Sequence, residues 1–382
     1  MKRLILPVLF CGLVVGIAAP GVSDDMGEAA RAGQWQLSAL RLPEAWQSSR
    51  GAGVVVAVLD TGVNGRHPDL AGAVVQGPDL TGAARSPALW GQHGTAMASL
   101  IAGRGHGDGN RRGVVGVAPA AEVLSIRVTL DNGDPLRDKR RPSGGDALAK
   151  GIRYAADHGA DVISMSLGGG DGAWEGSAPE EEAVQYAIGK GAVLVASSGN
   201  DGDSANRKNF PAAYPGVIAV GAVDRRLKVA AFSNRQDYVS VVAPGTEIVT
   251  ADGDDSYVVG DGTSSAAAMV AGIAALIRAA HPRLSPYHVR LAIEQGTRKR
   301  PADGYSRAYG HGVANALLAL RAADRLDLPT PVPPRPGAYF GEGPLGPIPV
   351  SRAPVVGGML TLVAAMAARV IVTSRRRRRD ST

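Results

Sequence analysis

Alternating apolar runs and helical patterns restrict the fold of this 382-residue chain more than any other feature. Six runs of four to six residues are almost wholly apolar, as expected for strands buried on both faces of a sheet. Strands that alternate with helices predict an α/β fold of three layers, in which helices cover both faces of a mostly parallel central sheet. The predicted strands are residues 54–59, 123–128, 162–165, 193–196, 217–220 and 239–243, and the predicted helices are residues 93–102, 145–158, 179–190, 264–280 and 285–295.

The start of the chain has the pattern of a signal peptide. Lys2 and Arg3 precede a long apolar run, and the small residues at 21–23 are typical of a cleavage region. We therefore predict a signal peptide at 1–23. Its Cys11 is the single cysteine of the chain, so the mature protein is expected to contain no disulfide and no thiol nucleophile.

The rest of the chain, up to the last predicted segment, divides into three parts by composition. Residues 24–52 form a short polar and amphipathic N-terminal extension, and residues 53–327 contain all of the predicted strands and helices. Nine prolines then fall between Pro329 and Pro354, without helical or strand periodicity. This composition predicts a stiff, extended linker at 328–354.

A single transmembrane helix is predicted at 355–373. The segment is apolar except for Arg369 near its end, and at about 1.5 Å per residue it just spans a hydrocarbon core of about 30 Å. Five arginines at 375–379 follow, and the positive-inside rule places the basic tail at 374–382 in the cytoplasm. We therefore expect a single-pass protein of the cell membrane whose folded part is extracytoplasmic.

Excess positive charge is confined to the two ends of the chain. The formal net charge is +6, but removing Lys2, Arg3, the five arginines at 375–379 and the neighbouring Asp380 leaves a charge of zero. The charge therefore reflects membrane topology rather than a surface for polyanions, and no nucleic-acid partner is expected.

Three motifs place a reactive side chain at the boundary of a predicted element. Asp60 begins an Asp-Thr-Gly sequence at the carboxyl end of the first buried strand, the edge where the ligands of parallel sheets collect. His93 begins a His-Gly-Thr sequence at the start of a helix of small residues, and Ser264 ends a Gly-Thr-Ser sequence at the start of another. Taken alone, Asp60 could cap a turn and Ser264 could cap its helix.

Taken together, the three side chains form the set that acyl transfer requires. Ser264 would attack a carbonyl carbon, His93 would accept its proton, and Asp60 would fix the tautomer of the imidazole. A fourth group fits the same chemistry. Asn200 follows the buried run at 193–196, and its amide can donate to a tetrahedral oxyanion.

The order Asp, His, Ser and the three motifs resemble the subtilisin-like serine protease family, the subtilases. Ser198-Gly199-Asn200 resembles the family's oxyanion segment, and Gly-Val-Ala-Pro at 116–119 and Ala-Pro-Gly at 243–245 match further landmarks. The resemblance spans about residues 35–320 and implies a serine endopeptidase with a subtilisin-like fold. It also implies that a substrate peptide binds along Ser166, Leu167, Gly168, Ala196, Ser197 and Ser198.

Two positions bear on how fully this chain follows the family. Subtilases usually have proline four residues after the nucleophile, where this chain has Ala268, so catalytic efficiency is in question but the assignment is not. Many subtilisins bind calcium, and Asp69 matches one possible ligand position. Residues 105–113, however, contain no carboxylate-rich loop. We therefore expect no metal and no other cofactor.

The layout of the whole chain resembles the mycosins, membrane-anchored subtilases associated with type VII secretion in actinobacteria and their relatives. The shared features are a signal peptide, a short extension, a subtilisin-like body, a proline-rich linker, a single anchor and a basic tail. This resemblance implies a protein or peptide substrate and a secretion membrane complex as partner. The alternative is a structural component that braces such a complex with little turnover, although a scaffold gives no reason to combine Asp60, His93, Ser264 and Asn200.

Overall fold

The structure is a computed structural model that describes residues 25–83, 91–137, 144–168 and 176–326. The described residues all belong to one compact unit, which ends at Asp327. The predicted signal peptide, linker, transmembrane helix and basic tail lie outside them. The strands are β1 (Val55–Asp60), β2 (Val74–Asp79), β3 (Arg104–His106), β4 (Arg112–Val115), β5 (Glu122–Arg127), β6 (Val162–Met165), β7 (Val193–Ser197), β8 (Ile218–Val223), β9 (Val239–Pro244), β10 (Ile248–Asp252), β11 (Ser256–Gly260), β12 (Thr297–Arg298) and β13 (Val313–Ala314). The helices are α1 (Asp25–Gly33), α2 (Gln36–Ala39), α3 (Leu42–Ala45), α4 (Gln92–Ala102), α5 (Gly144–Asp157), α6 (Ala178–Gly189), α7 (Thr263–Ala280), α8 (Pro286–Gln295) and α9 (Ala316–Leu326).

A nine-stranded sheet runs through the part of the chain that the structure describes. Its strand order is β12-β13-β9-β8-β7-β6-β1-β5-β2, and every neighbouring pair is parallel except β12 with β13. The six apolar runs found in the sequence correspond to β1 and β5 to β9. The run at 162–165 matches β6 at both ends, and the ends of the others shift by at most three residues. The predicted mostly parallel sheet is therefore confirmed.

The apolar strand residues divide between two cores because successive side chains of a strand point to opposite faces. Val56 and Val58 of β1 lie in the larger core, which also contains the buried faces of α4, α7, α8 and α9. Ala57 and Leu59 lie in the second core, with the buried residues of α5 and α6. The three predicted layers follow directly from these continuous apolar strands.

Helix α7 lies at the centre of the larger core. Of the helices in the described residues, only this one is long and apolar enough to cross a membrane, and 83% of it is buried inside the protein. The helix crosses the central strands, and Ala268 within it is fully buried. Its apolar character is therefore explained by packing within the body. Helix α7 begins at the carboxyl edge of the sheet, and this position determines where Ser264 lies.

The N-terminal extension is an integral part of the same core. Leu40 and Leu42 are completely buried, and the indole N–H of Trp46 donates to the carbonyl oxygen of Val117 at 2.8 Å. The side-chain amide of Gln34 both donates to and accepts from the main chain of Val115, each at 2.9 Å. Residues that looked like a short lead-in in the sequence therefore stabilise the body.

Candidate active site

Asp60 and His93 form the closest contact of the candidate site. Asp60 ends β1 with 1% of its surface exposed, and its Oδ1 lies 2.7 Å from Nδ1 of His93. The same oxygen accepts the main-chain N–H of Thr61 at 2.7 Å, which fixes the carboxylate plane. The strand end thus presents a buried acceptor to a ring that is still partly exposed.

Gly94 allows the helix that carries His93 to approach the Asp-Thr-Gly turn. A Cβ atom at position 94 would lie 2.0 Å from the carbonyl oxygen of Gly62, well inside van der Waals contact. The N–H of Gly94 instead donates to the hydroxyl of Thr61 at 3.1 Å. The glycine after His93 and the Thr-Gly after Asp60 therefore serve the same close contact.

The electrostatic surroundings of His93 favour its charged form. Burial disfavours the imidazolium, but the charge of Asp60, its hydrogen bond to the ring and the charge of Asp131 outweigh burial and the opposing charge of Arg137. The pKa of His93 is therefore raised above its ordinary value. A raised pKa makes His93 a stronger acceptor for the proton of a neighbouring serine.

Ser264 is the second residue of α7 and faces the end of β6. Its hydroxyl donates to the carbonyl oxygen of Ser166 at 3.2 Å, and the Ser166 hydroxyl donates back to the carbonyl oxygen of Ser264 at 3.0 Å. In this arrangement the Ser264 proton is held by the main chain rather than by His93. Proton transfer to His93 requires the hydroxyl to rotate away from this carbonyl. Catalytic hydrogen bonds are often not yet formed before substrate binds.

Asn200 lies beside the start of α7, with its amide orientation fixed. Its Oδ1 accepts both the N–H of Thr263 at 2.9 Å and the hydroxyl of Thr263 at 2.8 Å. Because two donors occupy the oxygen, the Nδ2 group is the one left for an external acceptor. The side chain is exposed, so a substrate oxyanion could reach it.

A cavity of about 190 Å³ adjoins these groups. Four of the six residues predicted to bind substrate line it: Ser166, Leu167, Gly168 and Ser197. Ala196 and Ser198 do not, because both residues are completely buried. The wall also includes Asp201, Asn209 and Thr263, which sequence reasoning missed. Asp201 adjoins the oxyanion segment and Thr263 is the middle residue of the Gly-Thr-Ser motif, whereas nothing in the sequence singled out Asn209.

The surroundings of Asp69 do not fit a calcium ion. Its Oδ1 lies 2.6 Å from Nδ1 of His106, and its Oδ2 accepts the N–H of Val114 at 2.6 Å. The carbonyl oxygens of the adjacent loop accept from the guanidinium of Arg31, at 2.8 Å for Gly113 and at 3.0 and 3.1 Å for the carbonyls of residues 110 and 112. Within the described ranges, no group of three or more His, Cys, Asp or Glu residues could hold a metal ion.

Arg31 is expected to stabilise the body through this loop. Arg31→Met keeps the apolar stem but removes three donors to carbonyl oxygens, and we expect the free energy of unfolding to fall by about 1–3 kcal/mol. Denaturant unfolding of the two proteins measures the difference. Arg41→Met is the matched control, because it breaks an exposed pair with Glu44 and should change stability little. Full recovery of the Arg31→Met variant by added calcium would contradict this interpretation.

Comparison with known proteins agrees with the fold. The model of the subtilase family matches residues 51–312. Thermitase from Thermoactinomyces vulgaris is 38% identical over 282 residues, which are 74% of this chain and 94% of thermitase. Fervidolysin from Fervidobacterium pennivorans is 36% identical over 345 residues, 82% of this chain but 47% of fervidolysin, so the chain spans about half the length of that relative. Among solved structures, the MycP3 protease from the type VII (ESX-3) secretion system is 32% identical, with a TM-score of 0.63, over 75% of this chain and 88% of that one.

The fold and these matches define the class of subtilisin-type serine endopeptidases. The chain belongs to the subtilase family, and mycosins are among its structural neighbours. The family resemblance that the motifs indicated is thereby confirmed.

The amide of Asn200 is expected to matter only in the transition state. Asn200→Leu removes the donor, and we expect kcat to fall about 10²–10³-fold with KM nearly unchanged, the scale known for an oxyanion donor in the related subtilisin. Asn200→Asp is the matched variant, because its oxygens can still accept from Thr263 while it offers no donor. Steady-state kinetics that leave kcat intact in both variants would remove Asn200 from the mechanism.

Proposed function

We propose that this chain is a membrane-anchored, extracytoplasmic serine endopeptidase that works beside a type VII secretion membrane complex. The observation that carries the catalytic part is the 2.7 Å contact between Asp60 and His93, on the same sheet edge as Ser264 and Asn200. What distinguishes this pair from the buried pair of Asp69 and His106 is its position beside a serine at a helix start and the amide of Asn200. An acyl-transfer reaction needs both of these neighbours.

In the proposed mechanism, the Oγ of Ser264 attacks the carbonyl carbon of the scissile peptide bond while its proton passes to Nε2 of His93. Asp60 holds the Nδ1 proton and stabilises the imidazolium. The Nδ2 group of Asn200 donates to the oxyanion. His93 then gives its proton to the departing amine, which leaves an acyl ester on Ser264. Water, deprotonated by His93, then attacks the ester carbon, and His93 returns that proton to the Oγ of Ser264 as the new carboxyl terminus leaves.

The anchoring part of the proposal rests on sequence outside the described residues. The pattern at 1–23 fits export, the apolar segment at 355–373 fits a single membrane crossing, and the arginines at 375–379 fit a cytoplasmic tail. Association with secretion is supported by the likeness to MycP3, whose structure is that of a protease from the type VII (ESX-3) secretion system. A protein or peptide is the substrate class that this chemistry requires.

Active-site labelling tests the catalytic part. The full-length chain in its membrane is treated with a fluorophosphonate probe, and a mixed peptide library is then offered to it. Labelling and cleavage by the wild type, both absent in Ser264→Ala, are the expected result. A folded wild type that neither labels nor cuts would favour the structural role of bracing a complex.

Cysteine accessibility tests the topology. In a Cys11→Ser background, Asp255→Cys places a thiol on an exposed residue of the body, and Ser381→Cys places one in the tail. We expect a membrane-impermeant maleimide to label the body thiol on intact cells and the tail thiol only after permeabilisation. Labelling of the tail thiol on intact cells would reverse the proposed orientation.

Association with a complex is tested on solubilised membranes of the native host. We expect native electrophoresis in mild detergent to find the chain at a mass well above its own 39.1 kDa, together with other membrane proteins. Migration as a free monomer in every detergent tried would count against a stable complex.

A further inference from the structure

Helix α4, which carries His93, begins without a cap from its own sequence. Its N-cap residue is Gly91, which has φ of 70° and no side chain to accept a hydrogen bond. The first N–H groups of any helix have no partner within the helix, and a side-chain oxygen usually satisfies one of them. His93 therefore lies in a first helical turn whose free N–H groups must find an acceptor elsewhere in the chain.

That acceptor is Asp131, which lies in the loop after β5, 38 residues further along the chain than His93. Its Oδ2 accepts the N–H of Gly91 at 2.9 Å and that of Gln92 at 3.3 Å, and its Oδ1 accepts the N–H of His93 at 3.0 Å. The side chain is only 2% exposed, so water does not compete for these contacts. One carboxylate thus holds the backbone of the base and of the two residues before it.

Asp131 also acts on the charge of the ring. The N-terminus of a helix carries a partial positive charge, which disfavours an imidazolium in its first turn. A carboxylate at the same place offsets this effect. The charged groups that face His93 are Asp60 from β1 and Asp131 and Arg137 from the loop after β5. The first two raise the pKa of His93, and Arg137 lowers it. Burial and the charge of Asp60 raise the pKa of Asp131 itself, against the hydrogen bonds from His93, Thr61 and Gln92.

We propose that Asp131 is a positioning residue for the general base. It fixes the first turn of α4 so that His93 stays paired with Asp60 at the sheet edge where Ser264 lies, and its charge stabilises the imidazolium that forms in both halves of the reaction. The role rests on the proposed function, since it presupposes that His93 is the base. Asp131 touches neither substrate nor the reacting atoms, and its effect passes through the backbone and the field at His93.

Two substitutions separate the two parts of this role. Asp131→Asn keeps the shape and one acceptor oxygen but removes the charge, so we expect a modest loss of kcat and an acidic limb of the kcat–pH profile that moves to lower pH. Asp131→Ala removes the acceptors as well, and misplacement of the ring should lower kcat about 10–100-fold with KM nearly unchanged.

Asp134→Asn is the matched control. Asp134 is a buried carboxylate in the same loop, but its hydrogen bond goes to the N–H of Leu136 within that loop, at 2.9 Å. The Asp134→Asn substitution therefore removes one negative charge from the loop, as Asp131→Asn does, but leaves every hydrogen bond to α4 in place. We expect it to leave kcat and the acidic limb near their wild-type values, and thermal unfolding of each full-length variant checks that the body is folded.

A proton NMR titration of the His93 ring in the full-length chain measures its pKa without any turnover, with the resonance assigned by its absence in His93→Gln. We expect a lower His93 pKa in Asp131→Asn and no change in Asp134→Asn. An unchanged pKa in Asp131→Asn together with wild-type kcat, or a loss that resides in KM alone, would overturn the inference. A wild type without activity would instead refute the proposed function, and the titration would still decide whether Asp131 acts on His93.

Discussion

Replacing Ser264 with alanine is expected to lower kcat by about 10⁶-fold, the scale known for loss of the nucleophile in the related subtilisin. Alanine removes the oxygen that forms the acyl ester, at the start of α7 where it faces Ser166. Residual hydrolysis should come only from water attacking a peptide that the cavity and Asn200 still hold. Hydrolysis of a fluorogenic peptide, followed over days for the variant, measures the ratio.

The size of this effect can be tied to the triad by combining substitutions. His93→Ala alone, and Ser264→Ala with His93→Ala together, should cost about as much as the serine change, because the groups act as one unit. Ser265→Ala is the control, since it removes a buried hydroxyl from the next position of α7 without removing the nucleophile. Equal losses from Ser265→Ala would mean that the helix start, and not the Ser264 hydroxyl, is what the assay detects.

Replacing Asp60 with asparagine is expected to lower kcat by about 10⁴-fold, with the body still folded. The amide has no charge to stabilise the imidazolium, and it can donate to Nδ1 of His93, which turns the ring to the wrong tautomer. Oδ1 of Asp60 faces both Nδ1 of His93 and the N–H of Thr61, so an amide NH2 group at that place loses the hydrogen bond from Thr61. The loss of this one bond is small enough for the body to stay folded. The rate of fluorophosphonate labelling measures the loss independently of peptide binding.

A second carboxylate–imidazole pair provides the matched control. Asp69 is fully buried and its Oδ1 lies 2.6 Å from Nδ1 of His106, close to the 2.7 Å of the catalytic contact. Asp69→Asn should lower stability but leave the labelling rate of the folded protein near the wild-type value. Comparable labelling losses from both substitutions would show that a buried carboxylate is needed for folding rather than for chemistry.

The strands and the reactive residues could be predicted because their signals are local. An apolar run such as 193–196 is readable without knowing its neighbours, since a parallel strand is buried on both faces. Edge and short elements gave no such signal. Strand β2 is largely exposed, and β12 and β13 have two residues each. None of these three strands has a detectable apolar run.

The candidate site shows the same division. Position 94 requires glycine because a side chain there would clash with Gly62. A contact between two motifs therefore restricts the residues of both motifs, and the sequence shows this restriction. Asn209, by contrast, reaches the cavity wall from a segment without regular secondary structure, and its neighbours in the chain give no indication of that position.

Local sequence patterns predict which side chains could act as nucleophile, base, orienting acid and oxyanion donor, and at which element boundary each one lies. The contacts that hold these side chains in place are visible only in the folded protein. Asp131 reaches the first turn of α4 across 38 residues, and the hydroxyls of Ser166 and Ser264 bind each other's main chain across 98. The physical reason is that such contacts depend on strand order. Strand order comes from the packing of whole layers, which local patterns of polarity do not specify.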